Sequence, residues 1–150
     1  MNFDEYRLAW EHVDKLTERR QTVTTTFISV NAAVVGAISF LIQGFASLIW
    51  TTKLSIIILA ISGIIACDLW RRLILQYSTL SAWWYGKLRQ IESMDTQSDK
   101  LVSLEYEELY RSNNNKLKLG LTRYEVRLTY LFMTIFLMFI FVVTYSLFYK

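Results

Sequence analysis

Apolar positions along the chain gather into three long runs, joined by segments in which apolar and charged residues recur at helical spacing. Phe27 to Trp50 holds 24 residues without a charge. At about 1.5 Å per residue such a helix reaches roughly 36 Å, enough to cross a hydrocarbon core of about 30 Å with some tilt. Leu54 to Trp70 (LSIIILAISGIIACDLW) adds 17 residues, sufficient when Arg71 and Arg72 extend to the interface. Leu128 to Tyr149 is a third run, of 22 uncharged residues. Only Thr51, Thr52 and Lys53 separate the first two, which predicts a tight antiparallel hairpin between spans at 27–50 and 54–70, with a third span at 128–149.

The flanking segments have a different pattern. Within residues 3–20, Phe3, Tyr6, Trp10 and Val13 fall on one helical face among charged neighbours, the signature of an amphipathic helix. After the second span, Leu73, Tyr77, Leu80, Trp84, Leu88 and Ile91 continue a stripe at steps of three and four. No proline interrupts residues 70–72 and Gly86 is the one weak point, so the second span and the stretch to residue 94 are predicted as one long helix. The two stripes predict that helix 3–20 packs against helix 71–94, in one subunit or between neighbours. Residues 95–100 are expected to form a loop, Leu101–Tyr110 a short helix, and Ser112–Asn115 a turn; Lys116 to Arg127 leads into the third span. The expected fold is all-α: an integral membrane protein forming a single unit over residues 1–150, with cytoplasmic segments at 1–26 and 71–127.

Composition strengthens the membrane assignment. The chain is 53% apolar and 19% charged, with a mean hydropathy of +0.28; soluble domains run about 45–50% apolar and about 25% charged. Five glycines and no proline argue against disorder and against sheets built on Gly/Pro turns. Cys67 is the single cysteine, which excludes an intramolecular disulfide and multi-cysteine metal sites; it is expected to be a small packing residue. His12, the single histidine, is expected on a solvated face and leaves triads and metal sites short of ligands. No phosphate loop, nucleophile elbow or metal-ligand cluster is present in the sequence, so neither an enzymatic role nor a cofactor is expected.

The net charge of +3 conceals an uneven distribution. Residues 1–26 carry four Lys/Arg and residues 71–127 carry ten, whereas the turn between the first two spans carries Lys53 and the C-terminus Lys150. The positive-inside rule therefore puts the N-terminus and central segment in the cytoplasm, with the C-terminus outside. A cleaved signal peptide is not expected, because a charged, partly acidic segment precedes the first span.

Three features could carry function. Thr25, Ser29, Ala32, Gly36, Ser39 and Gln43 recur at steps of four and three, a stripe of small or polar side chains along the first span. Polar groups facing lipid are unfavourable, so the stripe faces protein or water. Close helix packing and a pore lining are both compatible with it. Asn31, off the stripe, needs a neighbour for its amide. Asp68 near the end of the second span is expected to pair with Arg71 and Arg72, three and four residues on. Finally, Arg19, Arg20, Arg71, Arg72, Arg123 and Arg127 occupy corresponding positions at the ends of the three spans and are expected to converge; Lys87, Arg89, Lys116 and Lys118 lie further out, in the part of the chain holding Trp83, Trp84 and Tyr85. Such a set serves topology and anionic lipid, or it binds phosphates and stacked bases.

The amphipathic helix ending Leu16-Thr17-Glu18-Arg19-Arg20, the span FISVNAAVVGAISFLI, the exit Leu69-Trp70-Arg71-Arg72 and the run from Lys87 to Glu92 resemble the RipA-type small octameric bacterial membrane proteins. More loosely they resemble the SLATT group of transmembrane effectors. The likeness covers residues 4–92, with an echo at Leu121-Thr122-Arg123-Tyr124-Glu125. It implies a homo-oligomer, tetramer to octamer, in the inner membrane of a bacterium, forming a pore as the effector of an antiviral defence system. By that resemblance Ser29, Ala32, Gly36, Ser39 and Gln43 line the pore. Arg19, Arg20, Arg71, Arg72, Lys87, Arg123 and Arg127 then bind a nucleotide or short oligonucleotide made by a nucleotidyltransferase. The alternative is a non-conducting scaffold or sensor that recruits a partner through its cytoplasmic helices.

Overall fold

The computed structural model describes residues 3–43, 50–94, 101–107 and 121–148, nearly all of them helical. Helix α1 spans Phe3–Ile42, α2 Trp50–Met94, α3 Leu101–Tyr106 and α4 Leu121–Phe148. The single long helix expected beyond the second span is present: α2 runs unbroken for 45 residues through Gly86. The separation expected at Thr51–Lys53 is displaced, since Trp50–Lys53 already belong to α2. A reason is visible at Lys53, whose ammonium donates to the Ser146 carbonyl at 3.0 Å in the last turn of α4, where a helix leaves carbonyls unpaired. The loop at 95–100, the turn at 112–115, and Lys116 and Lys118 lie outside the described residues.

The chain forms two compact units. One comprises residues 22–74 and 123–150, the other residues 1–21 and 75–122. In the first of these, α1, α2 and α4 share one apolar seam. Along α2 it is made by Ile56, Ala60, Gly63, Cys67, Trp70 and Ile74, all buried at alternating steps of four and three. That spacing keeps one face of a helix on its neighbours in a left-handed bundle. Ile38 on α1 and Phe136 and Val143 on α4 complete the buried cluster. The outward faces stay apolar: Phe40, Ile58, Ile65, Leu137 and Phe141 are all exposed. Water would not tolerate such a surface and acyl chains would.

In the other unit, α1 and α2 run antiparallel, with Tyr6 meeting Glu92 and His12 meeting Trp84. Their seam is Ala9, Val13 and Leu88, joined by Val102 of α3, with Tyr6 and Trp84 packed against it. The predicted pairing of the two amphipathic helices is therefore made within one chain, but on a corrected face. Trp10 is 48% exposed, and Ala9 and Leu16 occupy the buried positions instead. Ala9 and Leu16 stand four before and three after Val13, a tighter helical alignment than Trp10 offers. A small Ala9 also leaves room for α2 and its Trp84. On α2, Leu80 is likewise exposed.

Candidate functional site

The stripe on α1 is built by helical periodicity and by what the opposite face must do. Phe27, Asn31, Val34, Val35 and Ile38 turn toward α2 and α4, so Ser29, Ala32, Gly36, Ser39 and Gln43 face outward, and all five are exposed in the single chain. A Cβ built on Gly36 meets nothing within 4 Å. The Ser29 hydroxyl donates to the Thr25 carbonyl at 3.0 Å and the Ser39 hydroxyl to the Val35 carbonyl at 2.8 Å. The protomer alone thus leaves the small, weakly polar face of its first span unpacked.

Asn31 obtains the partner it needs. It is fully buried; its amide donates to the Phe27 carbonyl at 2.8 Å, and its side-chain oxygen accepts from the Cys67 thiol at 3.2 Å. Cys67 is buried as expected and adds this donor role. Nearby, Trp70 is fully buried, stacked parallel on Phe27 at 5.9 Å and tilted against Phe132.

The basic residues are occupied to different degrees. Asp68 accepts from Arg71 at 2.8 Å and from Arg72 at 2.7 Å, the expected pairing at the end of the span. Arg127 lies 5.8 Å from the Tyr124 ring centroid, and Arg123 is exposed. In the other unit, Arg20 donates to the Thr122 hydroxyl at 2.9 Å, which donates on to Ser78 at 3.3 Å. Arg19 is exposed there; Lys87 lies 5.7 Å from the Trp83 ring centroid and donates to Gln90 at 3.3 Å. Arg20, Arg71, Arg72, Lys87 and Arg127 thus each have a partner within their own unit. His12, expected to be solvated, is exposed and also stacks on Trp84 at 5.0 Å.

Sequence patterning does not disclose Glu92. It is 1% exposed and accepts from the Val102 amide, the Ser103 amide and the Ser103 hydroxyl at 2.9, 2.9 and 2.7 Å, and from the Tyr6 phenol at 3.2 Å. It caps the start of α3, where helix amides lack internal acceptors. Burial alone would raise its pKa, but the bonds from Ser103, Val102 and Tyr6 together outweigh burial and hold the carboxyl below its ordinary value. The Tyr6 phenol is pushed up, by burial first and then by the Glu92 charge. The available signal was its position: Glu92 stands four residues after Leu88 on the buried face of α2.

Among the described residues, three helices, α1, α2 and α4, are long and apolar enough to cross a membrane. With an outward small-residue stripe on one of them, they define a small polytopic membrane protein. The chain belongs to the octameric membrane protein family (8xMP), whose profile matches residues 3–146. It is accordingly a membrane-resident homo-oligomer. No curated protein and no solved structure matches it.

Proposed function

We propose that eight copies close into a ring in the bacterial inner membrane and form an ion-conducting pore, a non-enzymatic effector of antiviral defence gated from the cytoplasm. In this reading the N-terminus and residues 71–127 are cytoplasmic and the C-terminus is outside, following the basic residues. One observation carries it: Ser29, Ala32, Gly36, Ser39 and Gln43 are all exposed on one face of a membrane-crossing helix, with no cover from the chain's own seam. Small and hydroxyl-bearing side chains are poor lipid ligands and serviceable pore walls. Membership of an octameric family supplies the copies that would surround an axis. The defence role is supported by the resemblance to RipA-type and SLATT proteins.

The gating ligand in this reading is a nucleotide or short oligonucleotide held by exposed cations. Arg71 and Arg72 already share Asp68, so a phosphate there competes with a carboxylate. Arg19 and Arg123 are the more accessible candidates. Purified protein in planar bilayers should pass current, and Gly36→Leu and Ser39→Leu should reduce it while the assembly keeps its mass. A silent bilayer with and without oligonucleotides removes the pore reading. Reversing Arg19 or Arg123 to Glu should weaken oligonucleotide binding and flatten its salt dependence; unchanged affinity in both removes the gating part.

A second reading is favoured by the hydroxyl bonds. Ser29 and Ser39 satisfy themselves on their own helix, so the stripe can serve as a dry seam between copies in a non-conducting scaffold. In that case Gly36→Leu abolishes assembly.

A further inference from the structure

Among the described residues, one buried side-chain polar atom has no hydrogen-bond partner in the protein: Nε1 of Trp70. An indole N–H is a donor only, and a donor buried without an acceptor is unfavourable. Trp70 is fully buried in the seam of the unit formed by residues 22–74 and 123–150, with Phe27 stacked on it and Phe132 tilted against it. Neither ring offers the N–H a lone pair.

The same stretch of the seam holds two other fully buried polar side chains, Asn31 of α1 and Thr129 of α4. The register of α2 against α4 places Thr129. Gly63 lies against Phe136, and Lys53 bonds the Ser146 carbonyl. Seven residues on from Gly63 and seven back from Phe136, about two turns along each helix, come Trp70 and Thr129. The Thr129 hydroxyl donates to the Val126 carbonyl at 2.7 Å and accepts from no described residue, so its oxygen keeps both lone pairs. Asn31 is placed by Cys67, three residues before Trp70; its oxygen accepts from that thiol and keeps a second lone pair. One helix thus brings a donor without an acceptor, and the other two bring acceptors with lone pairs to spare.

We infer that this unit holds one internal water molecule, which accepts from Trp70 Nε1 and donates to Thr129 Oγ1 and Asn31 Oδ1. Water suits the three groups because it accepts from one and donates to two, and about three bonds are usual for a buried water. Polar groups also continue from the site toward the end of the span. Arg71 and Arg72 directly follow Trp70, and Glu125, one turn before Thr129 on α4, accepts from Thr24 at 3.2 Å. The water gives α1, α2 and α4 a shared polar contact in a seam otherwise held by apolar packing, for which lipid tails compete. The site is independent of conduction and of any gating ligand.

Nuclear magnetic resonance of the full chain in detergent, with isotope-labelled indoles, tests it. The chain has five tryptophans, and Trp70→Phe identifies the indole signal of Trp70. Trp10, Trp50 and Trp83 are exposed and should lose their indole protons to deuterium quickly, whereas Trp70 should keep its own. In ordinary water the Trp70 proton should show a cross-relaxation peak to water, with the sign of a long-lived bound molecule. Thr129→Val, which keeps the shape and removes the oxygen, should abolish that peak and move the Trp70 indole proton upfield. Thr129→Ser should preserve both. Absence of the water peak in the unsubstituted chain overturns the site, whether the proton lies upfield as unbonded or downfield as bonded directly to protein. A peak unchanged in a folded Thr129→Val chain overturns it too, because the water is then held by other groups. The peak itself is read on the unsubstituted chain, so a valine variant that misfolds leaves the test standing.

Discussion

Gly63 and Phe136 show how much one hydrogen atom matters in a tight seam. A Cβ on Gly63 would lie 2.5 Å from Phe136 Cζ, so Gly63→Ala should destabilise the three-helix unit by about 1–3 kcal/mol. Thermal unfolding in detergent should show the loss, and Phe136→Leu in the same chain should recover part of it. Gly36, with nothing around it, should tolerate alanine without such a cost. Glu92 acts at the same scale through polar contacts. Glu92→Ala leaves two α3 amides and the Ser103 and Tyr6 hydroxyls without their acceptor, at roughly 1–3 kcal/mol, visible as faster amide exchange at Val102 and Ser103. Its pH dependence has a definite sign. Because the folded carboxyl titrates below its ordinary value, its stabilisation is complete above about pH 5 and is lost as pH falls through the folded value. Tyr6, raised in the fold, adds a contribution present below about pH 10 and lost above its folded value. The protection of the Val102 and Ser103 amides, corrected for the pH dependence of intrinsic exchange, should therefore fall in acid for the natural chain and change little with pH in Glu92→Ala.

At the scale of elements, α2 is the decisive one. Helical from Trp50 to Met94, it presents a seam of small and large residues in one unit and Leu88 with Glu92 in the other. Its length was legible in the sequence because nothing between residues 50 and 94 breaks a helix. Its start was not, because Thr51 and Thr52 with a lysine resemble a turn until the Ser146 carbonyl is seen beside Lys53. Lys53→Met should remove that bond and a favourable charge at the end of α4, costing about 0.3–1 kcal/mol. Hydrogen exchange should show the effect confined to the last turn of α4. The amphipathic part of α1 was recognised by period, yet its buried face was displaced from Trp10 to Ala9 and Leu16. Aromatic bulk suggests burial, and the partner helix selects what fits.

For the whole molecule, three membrane-crossing helices and membership of an octameric family define a membrane assembly. The proposed orientation has a direct check in a Cys67→Ser background. Gln21→Cys should react with a membrane-impermeant maleimide only after the cells are opened, and Phe148→Cys should react in intact cells. The reverse pattern removes the positive-inside assignment and the cytoplasmic gate with it. Conduction, proposed for the α1 stripe, belongs to this scale as well, since no protomer encloses an axis by itself.

The residue order by itself determined the all-helical fold, the three spans and the pairing of Asp68 with Arg71 and Arg72. Each follows from local chemistry: run length, absence of helix breakers, and side chains three and four residues apart. Tertiary structure decided matters that depend on a distant partner. It chose Ala9 over Trp10 for the seam, matched Gly63 to Phe136 and Asn31 to Cys67, and made Glu92 the cap of α3. It also showed which face of α1 the chain leaves uncovered. Periodicity defines that a face exists; only packing decides whether the chain covers it or another copy must.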